Sequence, residues 1–192
     1  MKNKFLNTAL ILAVAFSVSA FTNKDKEKKE IKTAESKVVW KGYKVTGSHE
    51  GTVALKDGYL EFDGDNLTGG MFTVDMTSLT STDLSGEYQT KLNGHLKSDD
   101  FFGVQKHPTS KLVITNTKAT GKNRYEVKGE LTIKDKTNPI TFDLSIYGSK
   151  ATASLKIDRS KYDVRYGSGS FFDNLGDKTI YDEFDLVVDL QF

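Results

Sequence analysis

From Val38 to Phe192 the chain alternates apolar and polar positions with a period of two. Tyr125, Val127, Gly129, Leu131 and Ile133 alternate with Glu126, Lys128, Glu130, Thr132 and Lys134. Ile140, Phe142, Leu144 and Ile146 alternate with Thr141, Asp143, Ser145 and Tyr147, and Phe184, Leu186, Val188, Leu190 and Phe192 with Asp185, Val187, Asp189 and Gln191. Shorter runs follow suit: Val53 and Leu55; Leu60 and Phe62; Phe72, Val74 and Met76; Leu112 and Ile114. Such alternation predicts strands with one dry and one wet face. Turn chemistry is expected at Asp57-Gly58, Gly64-Asp65-Asn66, Gly121-Lys122-Asn123 and Asn138-Pro139. About eight strands joined by short connections predict an antiparallel meander. Closing it into an all-β barrel covers every apolar face and removes the edges. A two-sheet sandwich is the alternative.

Two stretches break the period. Glu87–Asp100 spaces Tyr88, Leu92 and Leu96 as a helix does, despite Gly94, and predicts a short helix over one end of the barrel. Residues 158–176 carry Tyr162, Tyr166, Phe171 and Phe172 among Gly and Ser. That is too long for a hairpin turn, and long loops in compact domains often carry function.

Composition and charge narrow the classes. The 192 residues include 27 Lys+Arg, 26 Asp+Glu and no Cys. Without Cys there is no disulfide scaffold, thiolate metal site or Cys nucleophile. Residues 1–20 hold Lys2 and Lys4, an apolar run from Ala9 to Val18, and the small residues Ser19 and Ala20. The run is short for a bilayer span and ends as a cleaved export signal does. The expectation is a signal peptide over 1–20, a charged linker over 21–37, a folded domain over 38–192, and a periplasmic or secreted protein with no integral membrane segment. Losing Lys2 and Lys4 takes the formal charge from +1 to −1, which leaves no electrostatic footprint for nucleic acid.

Gly94-His95-Leu96-Lys97-Ser98-Asp99-Asp100-Phe101-Phe102 is followed by His107-Pro108-Thr109. Gly69–Met76, Gly129–Lys134 with Thr137, and Ile157-Asp158-Arg159-Ser160-Lys161-Tyr162 come in the same order along the chain as in a known family. Together they resemble the YceI-like family of polyisoprenoid-binding or lipid-binding periplasmic proteins, over Val38–Phe192. The sequence departs from the family's common pattern at His49-Glu50, and the loop Arg165–Phe172 is similar to one branch of the family. The resemblance implies a lipocalin-like extended antiparallel barrel whose pore holds an isoprenoid or fatty-acid-like lipid tail. Small barrels are either filled or hold one ligand, and the strand pattern fits both.

The candidate tail contacts are Phe72, Val74, Phe101, Phe102, Leu131, Ile133, Phe142 and Leu144. Arg159, Tyr162, Arg165 and Tyr166 are candidate head-group ligands, because guanidinium and phenol groups bind phosphate and hydroxyl oxygens. The alternative is that Asp158–Arg159 or Asp163–Arg165 pairs fasten the loop. Phe101-Phe102 and Phe171-Phe172 are expected in the core or pore wall. His49, His95 and His107 lack metal-ligand spacing, so no metal is expected, and no cofactor. Asp75 is expected to meet His95 or a backbone donor. Gly167-Ser168-Gly169 lacks the spacing of a nucleophile elbow, and no nucleophile–base–orienter set is legible. The function expected is therefore non-enzymatic lipid binding, as carrier, scavenger or store. An exported interaction module with a filled barrel, acting through an envelope partner, is the alternative, and a homodimer is compatible with either.

Overall fold

The computed structural model describes residues 26–192; the signal expected over 1–20 lies outside them. Eight long strands follow the alternating runs: β2 (Lys37–Lys44), β3 (Gly47–Asp63), β4 (Asn66–Ser81), β5 (Thr109–Gly121), β6 (Arg124–Ile133), β7 (Lys136–Tyr147), β8 (Lys150–Asp158) and β9 (Ile180–Gln191). A short strand β1 (Glu27–Glu30) precedes them. Every pairing is antiparallel. The order β3-β2-β9-β8-β7-β6-β5-β4 closes on itself through β3–β4, so the sheet is a barrel and not a sandwich. Closure covers both edges, which an open meander leaves bare.

The charged segment expected to be a linker is partly built into the sheet. Glu27–Glu30 pair with Tyr59–Phe62 of β3, and Ile31 is buried against Leu60, Phe62 and Leu190. Alternation is invisible in a four-residue strand made of Lys and Glu; Ile31 is the anchor, and it was the one apolar signal available.

Two expected turns are strand interior. Asp57-Gly58 lies within β3, at a register shift between Leu55 and Asp57. Gly58 is needed there because a Cβ would meet the Phe72 ring at 2.8 Å. Asn138-Pro139 lies within β7, and the turn is instead Lys134-Asp135, both with positive φ, as a two-residue hairpin requires. β7 pairs with β8 only from Asp143 onward, so Pro139 sits where one edge of its strand is unpaired. Proline is tolerated at such an edge.

Connections at one end are two-residue turns; at the other, those after β4 and β8 enlarge. That second end gathers the β2–β3 hairpin, helix α1 (Gly86–Lys97) with its flanking loops, and the long β8–β9 loop. Tyr88 does not share the inward face of α1 and is 75% exposed. Eight residues from Tyr88 to Leu96 rotate about 80° beyond two turns, so the inward face is Gln89, Leu92, Asn93 and Leu96. Gln89 donates to Ser81 O at 2.7 Å. Asn93 accepts from Ser81 N at 2.8 Å and donates to Thr80 Oγ1 at 2.9 Å. These bonds fasten the helix as a lid on β4.

Candidate functional site

Beneath the lid is a cavity of about 190 Å³, whose lining includes Val38, Trp40, Val53, Val74, Leu79, Leu96, Phe101, Phe102, Leu131, Ile133, Phe184 and Leu186. A second chamber of about 90 Å³ lies further along the barrel and is lined by carbon side chains alone, among them Leu55, Phe72, Leu112, Ile114, Phe142, Leu144 and Val188. Val38, Val74, Leu131 and Leu186 line both and form the waist between them. Beyond the lower chamber the barrel is packed shut by Leu60, Phe62, Leu67, Val127, Ala151 and Leu190. An engineered cavity of about 150 Å³ walled by Leu, Ile and Phe stays dry and takes up benzene. The upper chamber alone is larger than that, and its wall is mostly but not wholly apolar, since Lys44, His49, His95, Ser110 and Arg159 share it.

Irregularities in the ladder make this room. Between the pairs Thr52–Thr80 and Ala54–Asp75, β4 carries four residues against one in β3. Asp75 holds the bulge: its Oδ1 accepts from Thr77 N at 2.9 Å and Thr77 Oγ1 at 2.6 Å, while Ser78 Oγ donates to Asp75 O at 2.6 Å and accepts from Ala54 N at 2.7 Å. Of its two expected partners Asp75 takes the backbone donor, and bonds from Thr77 hold its carboxyl below the usual range. The bulge turns Met76 and Leu79 inward to the cavity wall.

A second irregularity opens the mouth. Gly42 pairs with Phe184 but Lys44 pairs with Ile180, so three residues of β9 face Tyr43. The seam splays, and cavity-lining residues there are half-buried (Tyr43, Lys44, His49) or exposed (Tyr181). Tyr43 donates to Asp185 Oδ2 at 2.6 Å across the seam. His49, the departure from the family's common hairpin, lies 2.8 Å from Asp83 Oδ2. Partial burial alone would raise the Asp83 carboxyl, but bonds from His49 and Ser81 outweigh it and hold it below its ordinary value.

The structure brings all eight candidate tail contacts to these chambers. Phe101, Phe102 and Ile133 line the upper one, Phe72, Phe142 and Leu144 the lower, and Val74 and Leu131 both. It divides the four head-group candidates. Arg159 is 2% exposed and lines the upper chamber, with its guanidinium 5.3 Å from the Phe101 ring centre. It donates to Val164 O at 2.7 Å, Ile180 O at 2.9 Å and Tyr181 O at 3.2 Å, and lies 3.4 Å from Asp182 Oδ1. It fastens the β8–β9 loop, as the alternative reading had it, though through Asp182 and carbonyls and not through Asp158. Tyr162 is buried in the core beside Ile157 and Val164, and burial, with the charge of Asp158, pushes its phenol up to about 12. Arg165 pairs with Asp163 on the outside and covers Phe171. Tyr166 is exposed and stands 4.3 Å edge-on to His95. Sequence proximity grouped these four; alternation at the loop's entry sends Arg159 in and the left-handed turn at Asp163 sends Arg165 out.

Phe171-Phe172, expected inside, is on the surface at 38% and 50% exposure. Ser168 is fully buried and turns the chain there, accepting from Ser170 N, which leaves the two rings outside. Phe172 and Tyr166 border an outer cleft of about 570 Å³ with Asp99, Asp100, Asp163, Lys134, Arg165 and Lys178. Bonds from Lys106 and Arg165 hold the Asp99 and Asp163 carboxyls below the usual range, whereas a general acid needs a raised pKa. Among the described residues no group of three metal-ligating side chains gathers. Trp40, Tyr43, Leu186 and Ser110 belong to the cavity wall but escaped the sequence reading. For Leu186 the inward phase of β9 was the available signal.

The closed eight-stranded barrel with a helical lid and a two-chamber apolar pore defines a class, the lipocalin-like barrels with an internal cavity. Within it the chain belongs to the YceI-like domain family, whose family model matches residues 30–192. A UPF0312 protein of Pseudomonas putida (strain GB-1) is 30% identical over 109 residues, 53% of this chain and 54% of the relative. Another, from Photorhabdus laumondii, is 31% identical over 98 residues, 51% and 48% of the two chains. The chain thus spans about half the length of these curated relatives. The crystal structure of Burkholderia cenocepacia BcnA shares the fold with a TM-score of 0.66 at 24% identity, over 83% of this chain and 98% of that one. A polyisoprenoid binding domain from Saccharophagus degradans, described as implicated in plant cell wall breakdown, does so with a TM-score of 0.55 at 11% identity, over 84% and 97%.

Proposed function

We propose that this protein is a non-enzymatic, exported lipid-binding protein that holds a polyisoprenoid or similar long amphiphilic lipid in its pore. The observation that carries the reading is the pair of chambers, which share Val38, Val74, Leu131 and Leu186 as a common wall and are lined mostly by carbon. Each CH₂ moved from water into such a wall contributes about 0.8 kcal/mol before ordering costs. The shared fold with a polyisoprenoid binding domain supports the same class of ligand. The tail contacts proposed are Phe72, Val74, Phe101, Phe102, Leu131, Ile133, Phe142 and Leu144, with Arg159 as a neighbour of the bound lipid. Residues 1–20 would direct the chain to the periplasm or beyond. The internal volume weighs against the filled-barrel interaction module.

Native mass spectrometry of the protein purified from an exporting host, followed by organic extraction, tests the reading. A co-purifying lipid of defined mass is expected. Trp40 is the one tryptophan of the sequence and lines the upper chamber, so added polyprenol should change its emission saturably. An apo mass together with no emission change would overturn the proposal.

A further inference from the structure

The upper chamber is walled by carbon with few exceptions, and one of them has no partner. Ser110 is 5% exposed and lines the chamber; its Oγ is itself covered and has no hydrogen-bond partner among the described residues, and a rotation about χ1 would turn it to the chamber. Buried hydroxyls are ordinarily satisfied, because leaving one unpaired forfeits its hydration. The inward row of β5 otherwise reads Leu112 and Ile114. Alanine or valine at position 110 would continue that row without an orphaned oxygen.

The register fixes the height of Ser110. It pairs with Val74, a waist residue, and the next inward residue, Leu112, lines only the lower chamber. Ser110 therefore stands just above the waist, inside the barrel. A lipid whose tail fills the lower chamber brings its first polar atom to this level.

Charge narrows the kind of atom. Arg159 is the buried cation of the chamber, and it is already answered by Asp182 and by the carbonyls of Val164, Ile180 and Tyr181; Lys44 and His95, which also line the chamber, are half-buried. A phosphate or carboxylate at Ser110 would be stripped of water with no free buried cation to answer it, which is costly. An uncharged oxygen is not subject to that cost.

We propose that Ser110 is a ligand-binding residue whose hydroxyl, turned to the chamber by a χ1 rotation, hydrogen-bonds an uncharged oxygen, hydroxyl or carbonyl, of a lipid seated tail-down in the lower chamber. The proposal rests on the lipid-binding reading and adds to it where the polar group sits and that it is neutral.

The test is a Trp40 emission titration of the wild-type protein and Ser110→Ala with three C20 compounds delivered from cyclodextrin. These are geranylgeraniol, geranylgeranyl phosphate and the hydrocarbon of the same skeleton. A neutral hydrogen bond of ordinary strength corresponds to about three- to tenfold in affinity. The wild-type protein should therefore prefer the alcohol to the hydrocarbon by about that factor, and should bind the phosphate less well than the alcohol. Ser110→Ala should erase the preference by weakening the alcohol alone. It should also raise the melting temperature of the apo protein, because an orphaned oxygen is removed. An equal change for alcohol and hydrocarbon, a surviving alcohol preference, or a lower melting temperature overturns the role of Ser110. Tighter binding of the phosphate overturns the neutral class. If the wild-type protein binds none of the three, the lipid reading fails and this proposal with it; hydrocarbon binding in the wild type separates the two failures.

Discussion

Gly51 and Gly94 show how differently one residue type is used. Gly51 sits between Trp40 and Ser81 in the sheet, and a Cβ there would lie on the Thr80 carbonyl oxygen and 2.7 Å from Ser81 Cα. The obstacle is backbone, which cannot rotate away. Gly51→Ala is expected to lower stability by about 1–3 kcal/mol or more, read from urea unfolding. Gly94, inside α1, has open space around it. Gly94→Ala should raise stability by up to about 1 kcal/mol in the same assay, from helix propensity and a less free unfolded chain. Equal effects at the two sites would refute this account. Tyr162 offers a titration. Its phenol is pushed from 10.0 to about 12 by burial and then by Asp158. A group whose folded pKa is raised adds stability below its unfolded value and loses it as pH climbs through the folded one. Tyr162 should thus resist ionisation in an ultraviolet pH titration, joined by Tyr43, whose bond to Asp185 also raises it, and stability should fall between pH 10 and about 12; ionisation of every tyrosine near 10 would contradict it.

Among elements, the helix decides whether the pore is roofed. Leu92 and Leu96 line the cavity, whereas Tyr88, one position off the inward face, is exposed. Leu96→Ala is expected to destabilise by about 2–3 kcal/mol and to enlarge the upper chamber. Tyr88→Ala should change stability by less than about 0.5 kcal/mol. Parallel denaturation curves of the two variants check the orientation of α1, and comparable losses would mean that the helix face is wrong. The polar clasp of Gln89 and Asn93 on Ser81 explains why so weakly apolar a helix docks at all. Its apolar contribution is two half-buried leucines, and the backbone groups freed where β4 ends need partners.

At the scale of the molecule, one end of the barrel is sealed by side chains and the other by a helix and a loop, so a lipid of the proposed kind would enter and leave at the second end. The waist is where a single residue can divide the pore. Val74→Phe is expected to fill it while keeping the fold, since the added ring takes up existing space. Uptake of a C20 isoprenoid should fall at least tenfold by Trp40 emission, while the melting temperature stays within a few degrees. Undiminished uptake would show that the lower chamber is not used. Among the described residues no helix is long and apolar enough to cross a membrane.

The sequence by itself determined the alternation of β6, β7 and β9, and with it an antiparallel sheet whose dry face needs covering. It also contained the helix at Leu92 and Leu96, and the family's motifs from Gly69 to Tyr162. These are local or periodic properties, and they follow from a side-chain period of two or of 3.6. Tertiary structure alone decided the rest, because register is a relation between strands. Asp57-Gly58 carries turn chemistry yet becomes a bulge, since β3 must pass both β2 and β4. Arg159 and Arg165 are six residues apart and end on opposite sides of the wall. Trp40, Ser110 and Leu186 come from three strands far apart in the chain and meet only when β3–β4 pairing closes the barrel.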